Sequence, residues 1–126
     1  MANPGFIKTF VATGAIAAYH IVKPSGVNDG EVVLAAAATD SILGVSQNVD
    51  VAIGQPCDVV LDQTANVVCG GTIPAGSLVT SDANGCAVVA NPGTGVVHRV
   101  LGVALTSGVS GDIIPVMIAQ GATHGL

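Results

Sequence analysis

Aromatic side chains are almost absent from this sequence. They make up 2% of it, as Phe6, Phe10 and Tyr19, and there is no tryptophan. Ligand pockets are usually lined by apolar and aromatic groups with a few placed polar ones. The scarcity of aromatic rings therefore argues against a carbohydrate-binding site.

Charge is scarce as well. Charged residues make up 9% of the chain, and three basic residues stand against eight acidic ones, which gives a net charge of −5. Binding to nucleic acid requires positive charge that neutralises phosphates. The balance has the wrong sign for that, so we expect no direct nucleic-acid partner.

Long apolar runs and a signal peptide are also missing. No uninterrupted apolar stretch reaches the roughly 18 residues that a membrane span requires. The opening MANPGFIKTF lacks the charged-then-apolar pattern of a secretory signal. We therefore expect a protein made and used in the cytoplasm, with no membrane partner.

Cysteine is sparse and lacks paired spacing. Cys57, Cys69 and Cys86 form no CxxC pair. In a cytoplasmic protein this pattern favours small buried thiols over a disulfide.

Small apolar residues dominate what is present. The chain has 126 residues, 50% of them hydrophobic, and Val and Ala carry most of that share. This length predicts one domain over residues 1–126. So many apolar residues with so few charges indicate that partners cover part of the surface, which predicts a homo-oligomer or a lattice component.

Glycine and proline recur about every ten residues, with short Val/Ile-rich runs between them. This spacing is typical of an all-β sandwich or barrel. Ten strands are predicted, at Ile7–Ala12, Ala15–Val22, Glu31–Ala36, Ser41–Ser46, Cys57–Leu61, Asn66–Cys69, Ser77–Thr80, Cys86–Val89, Val96–Leu105 and Ile113–Ala119. The Ala-rich segment Glu31–Asp40 has some helical character, but its Val pair favours a strand.

Several local patterns give sharper expectations. In CDVVLD, alternation places Cys57, Val59 and Leu61 inward and Asp58, Val60 and Asp62 outward. Asn84-Gly85 predicts a two-residue hairpin turn with positive φ at both positions. Pro115 predicts an edge strand or a bulge, and Val96–Leu105 reads as a central or interface strand.

A faint internal repeat runs through the chain. The segments starting at Asn28, Ile42 and Asp58 are followed in the same order by similar segments starting at Asn84, Val100 and Asp112. A duplicated half-barrel with pseudo-twofold symmetry would produce this pattern. Chance similarity in a sequence so rich in Val, Gly and Ala would produce it as well.

No catalytic, metal or cofactor site is expected. His20, His98 and His124 lack the spacing of a zinc site, and a Cys–His pair finds no local signature of nucleophilic catalysis. Gly108–Asp112 resembles a nucleophile elbow but lacks its last glycine and its strand-to-helix setting. Pro92–Gly95 lacks the third glycine and the helix of a phosphate loop, so a hairpin loop is expected there.

The N-terminal segment is the candidate partner-binding site. Its residues are Asn3, Pro4, Gly5, Phe6 and Ile7, with Phe10 and Tyr19 close behind. Aromatic anchors are enriched at interfaces, so residues 1–7 are predicted to form an extended arm that docks on a neighbouring molecule. The alternative is an ordinary first strand whose Phe residues fill the core.

Three segments together carry a resemblance. ANPGFIKTFVA, IPAGSLVTSDANGCAVVA and VLGVALTSGVSGDIIPVMIA resemble the small capsid cement, or head decoration, proteins of tailed bacteriophages. The resemblance spans nearly the whole chain and carries no catalytic residue. The three cysteines are not explained by the family pattern.

The resemblance implies a β-barrel or β-sandwich bound to the exterior of an icosahedral capsid. Its partner would be the major capsid protein, and it would cement neighbouring capsomers as a trimer, or as a dimer, after assembly in the cytoplasm of the bacterial host. Two alternatives stay open. The protein could be another virion component, such as a tail or spike protein, or a small non-enzymatic ligand-binding module.

Overall fold

The structure is a computed structural model that describes residues 7–124, and within them it is all-β with no helix. The strands are β1 (Ile7–Ala12), β2 (Ile21–Pro24), β3 (Glu31–Leu34), β4 (Gly44–Ser46), β5 (Pro56–Val60), β6 (Thr64–Val68), β7 (Leu78–Ser81), β8 (Ala87–Val89), β9 (Val97–Ala104) and β10 (Ile113–His124). The predicted fold class is confirmed, and all ten predicted strands have a counterpart.

The first five strands close into a barrel, which we call the N-terminal barrel. Its strand order is β1-β3-β2-β4-β5, and β5 returns to pair with β1. A short parallel pairing of β1 with β3, at Val11↔Glu31 and Ala12↔Val32, completes the closure.

The last five strands, which we call the C-terminal sheet, repeat this order. Read from β8, the sheet runs β8-β7-β9-β10-β6, and this matches β3-β2-β4-β5-β1 strand for strand. The parallel closure is reduced to one bridge, Cys69↔Ala87. That bridge takes the place of Ala12↔Val32.

The hydrogen-bond register confirms that the two halves are a duplication. Ile16 and Val51 exchange two backbone hydrogen bonds, and Ile73 and Gly108 exchange the same two; both residues of the second pair lie 57 positions beyond those of the first. Two rows of cross-strand neighbours also correspond. They are Ile21, Val45 and Val60, called the barrel row, and Leu78, Val103 and Met117, called the sheet row.

The duplication explains a strained backbone position. Tyr19 has φ of 62°, in the left-handed region that side chains other than glycine avoid. Its counterpart is Gly76, with φ of 86°. The Tyr19 N–H donates to the Gln47 carbonyl at 3.1 Å, and the Gly76 N–H donates to the Ala104 carbonyl at 2.7 Å. The same turn is therefore kept in both halves.

Alternation on the barrel strands divides the core into two clusters. Val22 and Val59 point into the barrel, whereas their neighbours Ile21 and Val60 join the cluster that fills the C-terminal sheet. Val60 is thus outward-facing, as predicted, yet it is only 4% exposed. The C-terminal sheet covers it.

The two halves do not pack through equivalent surfaces. The barrel contributes outward-facing residues to the shared cluster. The C-terminal sheet contributes residues whose counterparts in the barrel point into the barrel interior. The predicted duplication is therefore confirmed, but each unit has five strands instead of forming a half-barrel, and the packing is not twofold.

Several local predictions need correction. The strand predicted at Ala15–Val22 begins only at Ile21, because positive φ at Tyr19 interrupts the extended chain. Gly85 has positive φ but Asn84 does not. The Asp82 carboxylate instead accepts hydrogen bonds from the Asn84 and Cys86 amides at 2.8 and 3.0 Å, which shapes a longer loop.

The positions of the last two strands in the C-terminal sheet test three of the local predictions. β9 is central, as predicted, and β10 is also internal, so the edge alternative for the strand containing Pro115 is wrong. The predicted bulge is present farther along, between Ile118 and Gly121. The loop around Pro92–Gly95 is not a hairpin loop, because β7 lies between β8 and β9.

Two equivalent glycines allow close approach of neighbouring strands. A Cβ atom at Gly44 would collide with the Val60 carbonyl oxygen, and one at Gly102 would collide with the Met117 carbonyl oxygen. We expect Gly44→Ala and Gly102→Ala each to lower the free energy of unfolding by about 1–3 kcal/mol, because the backbone must shift.

Urea unfolding measures this effect. The matched control is Gly14→Ala, because nothing lies within 4 Å of a Cβ atom at Gly14. Equal stability of all three variants would contradict the close approach.

Candidate docking surfaces

The predicted partner-binding residues do not converge on one site. Asn3, Pro4, Gly5 and Phe6 lie outside the described residues. Ile7 begins β1 and pairs with Val60. Phe10 points inward and packs against the barrel core, while Tyr19 lies where the two halves meet and accepts a hydrogen bond from the Val68 amide at 2.9 Å.

Phe10 also contributes to an open pocket of about 360 Å³ at one end of the N-terminal barrel, which we call the end pocket. The β2–β3 turn forms its rim, where Val27 is 81% exposed and Gly30 has φ of 79°. Leu43 contributes to its apolar lining, and Asp29 and Glu31 lie at its acidic side. The end pocket is therefore concave, with the apolar side chains of Phe10 and Leu43 in its lining and the carboxylates of Asp29 and Glu31 on one side.

An apolar patch covers part of the outer face of the C-terminal sheet. Leu78 and Met117 of the sheet row are 42% and 45% exposed. Leu105 and Ile113 nearby are 47% and 52% exposed. Contiguous exposed apolar surface of this kind marks interaction sites, and the sequence pattern did not single it out.

Carboxylates hold the loops around these surfaces. Asp40 accepts hydrogen bonds from the Ala36 and Ala37 amides at 2.7 and 3.0 Å and pairs with Lys23 at 3.1 Å. Asp112 accepts from the Val109 amide at 3.0 Å, in the turn before β10. Both carboxylates therefore fix the loops in which they lie by accepting hydrogen bonds from backbone amides.

Burial works to raise the pKa of Asp40. The amides of Ala36 and Ala37 and the Lys23 ammonium outweigh that effect, so the pKa of Asp40 lies below its usual value. The folded protein therefore favours the charged form of this carboxylate.

A Cys–His contact joins the two halves of the molecule. Cys86 Sγ lies 3.5 Å from His20 Nε2, and His20 Nδ1 lies 2.8 Å from the Ala18 carbonyl oxygen. The Ala18 carbonyl can only accept, so Nδ1 is the donor, and in a neutral imidazole Nε2 is then the acceptor for the thiol. Burial, Asp82 and Cys69 raise the pKa of the Cys86 thiol, and a raised pKa opposes the thiolate that a nucleophile needs.

The other two thiols are buried. Desolvation raises the pKa of Cys57 and of Cys69, with further contributions from Asp58 and Asp112. All three cysteines are free, in agreement with the preference for buried thiols, although Cys86 is only partly buried.

Residues 7–124 contain no group of three or more His, Cys, Asp or Glu side chains arranged to hold a metal ion. No helix among these residues is long and apolar enough to span a bilayer.

Comparison with known proteins shows a family and a solved structure to which this chain is similar. Residues 11–118 match the family described as phage cement protein. The fold is similar to the crystal structure of the head fiber gp8.5 N base in bacteriophage phi29, with a TM-score of 0.70 and 23% sequence identity over 90% of this chain and 93% of that chain. Among curated proteins, none matches the sequence.

Removing the charge of Asp40 is expected to destabilise the protein. We expect Asp40→Asn to lower the free energy of unfolding by about 1 kcal/mol at pH 7. The lowered pKa stabilises the fold above the unfolded value of about 3.9, and that stabilisation is lost as pH falls through the folded pKa. The difference between wild type and variant should therefore shrink below about pH 4.

Urea unfolding at pH 7 and pH 3 measures the difference, with Asp29→Asn in the exposed β2–β3 turn as the control. The same difference in unfolding free energy between wild type and Asp40→Asn at pH 7 and at pH 3 would contradict an ionic role for Asp40.

Native thiols are expected to resist alkylation. At pH 7.5 we expect iodoacetamide to label the folded protein at least about tenfold more slowly than the urea-unfolded protein, since raised pKa values and burial suppress the thiolate. Mass spectrometry should find Cys86 modified before Cys57 and Cys69. Labelling of folded Cys86 as fast as in the unfolded chain would show instead that His20 activates it.

Proposed function

The chain belongs to the phage cement protein family, a family of structural phage proteins, and from this premise we propose that it binds the outer face of an icosahedral capsid and cements neighbouring capsomers. Its partner is the major capsid protein. The family match carries the proposal, because it extends over both halves of the duplicated fold.

The surface of the protein suits a structural role. Apolar side chains are exposed on the outer face of the C-terminal sheet, and hydrogen-bonded carboxylates fix the neighbouring loops. A preorganised surface loses little conformational entropy on binding. The raised pKa of the Cys86 thiol fits the same reading, since it opposes the thiolate that a nucleophile needs.

Cementing follows from contact with two neighbours at once. Packaged DNA presses outward, and the shell fails where capsomers separate. A typical specific contact buries about 800 Å² on each partner, and contacts held by one molecule reinforce one another through high effective concentration. An oligomer, a trimer in preference to a dimer, multiplies these contacts.

Preference for the mature shell follows if the neighbouring surfaces reach the required spacing only after expansion. A ligand shifts a conformational equilibrium by its differential affinity for the two states. A cement protein that binds only the expanded spacing therefore stabilises that state against reversal.

Co-sedimentation with purified capsids tests the proposal. We expect saturable binding to expanded shells, weaker binding to unexpanded shells, and a higher temperature of shell disruption when the protein is bound. Absence of binding to either form would overturn the capsid role, and binding to isolated tails instead would assign the protein to the tail.

The predicted N-terminal arm has its own test. We expect deletion of residues 1–6 to weaken shell binding at least about tenfold, since hot-spot anchors dominate interface energies. Because the deletion spares β1, which begins at Ile7, the melting temperature should change little. Full affinity in the truncated protein would show that the arm makes no contact.

A further inference from the structure

The contact inside the chain joins two unlike surfaces. The barrel row lies on the outside of the N-terminal barrel, where Ile21 and Val45 are fully buried and Val60 is 4% exposed. It closes one end of the C-terminal sheet, and the Ile21 N–H donates to the Gly85 carbonyl oxygen at 2.7 Å. One unit thus presents its outer face, and the other presents its end.

The equivalent outer face of the second unit has no such cover. Leu78 and Met117 of the sheet row are 42% and 45% exposed, at the positions that Ile21 and Val60 hold in the barrel row. The sheet row is therefore partly exposed, whereas its counterpart, the barrel row, is buried.

The equivalent end of the first unit is open as well. Gly30 in the β2–β3 turn corresponds to Gly85, and both have positive φ, of 79° and 76°. Phe10 and Leu43 correspond to Val67 and Leu101, which belong to the shared core cluster. The end pocket lies where these residues meet, so it is the unfilled counterpart of the end that the barrel row closes.

We propose that the sheet row of one copy of this protein covers the end pocket of a second copy, so that the contact between copies repeats the contact between the two units of one chain. Leu78 then takes the place of Ile21, and Gly30 takes the place of Gly85. This inference rests on the oligomer in the proposed function and names the surfaces that build it.

The occupant follows from continuity with the internal contact. Inside one chain, the barrel row already fits the end of the C-terminal sheet. The sheet row is the counterpart of the barrel row, and the end pocket is the counterpart of that end. The sheet row carries no charge, and the carboxylates of Asp29 and Glu31 lie at one side of the end pocket, so the contact buries no charge from the row itself. A head-to-tail contact of this type closes into a ring when its rotation allows, and otherwise forms an open chain.

Three single variants test the arrangement in solution. Met117→Glu places a negative charge in the sheet row, facing the carboxylates of Asp29 and Glu31 across the contact, and Val27→Lys places a charge at the rim of the end pocket. Both side chains are exposed, at 45% and 81%, so the fold should tolerate both changes. Ile53→Lys is the matched control, because Ile53 is an exposed apolar residue, at 69%, outside both surfaces.

Sedimentation velocity on the free protein gives the readout. Wild type and Ile53→Lys should form the same oligomer, and Met117→Glu and Val27→Lys should each dissociate at concentrations at least about tenfold higher, a change of roughly 1.4 kcal/mol. Mixing the two deficient variants should restore a heterodimer, because one supplies an intact sheet row and the other an intact end pocket. Circular dichroism melts check that each variant is folded.

Three outcomes would overturn the proposal. They are a monomeric wild type, a Val27→Lys variant that assembles like wild type, and a mixture that forms no heterodimer. A contact of the sheet row with itself would give the second and third results. Capsids are absent from this experiment, so its failure is distinct from a failure of capsid binding.

Discussion

Burial of the barrel row against the end of the C-terminal sheet is the contact on which the rest of the structure depends. Val and Ala carry most of the apolar content, and small side chains bury little area each. The C-terminal sheet has no Phe, Tyr or Trp with which to fill itself. The strands of the C-terminal sheet leave its core open at one end. Ile21 and Val60 of the barrel join this core and close it.

The strands and the repeat could be predicted because both depend on local patterns. Glycine and proline mark where strands end, and the repeated segments keep their order in both halves. The alternation of residues along a strand could not predict which part of the molecule covers its outward-facing side chains. The pattern CDVVLD places Val60 outward, but only the docking of the second unit makes it buried. The loop after Ser81 differs from its prediction for a similar reason, because a carboxylate two residues from Asn84 supplies the hydrogen bonds that fix the turn.

The family was predictable through resemblance, and the docking surfaces were not. Phe10 was predicted to bind a partner, and it lies at the end pocket while packing on the barrel core. Met117 and Leu78 gave no signal in the sequence, since a single exposed apolar residue on a strand is common. Their significance emerges only from the register, which aligns them with the buried residues Val60 and Ile21.

Cryo-electron microscopy of expanded capsids saturated with the protein would test the central claim most directly. The account predicts density on the outer face of the shell at the boundaries between capsomers, with the sheet row of each copy seated on the end pocket of the next. Density confined to the centre of single capsomers, or no added density on the shell, would contradict it.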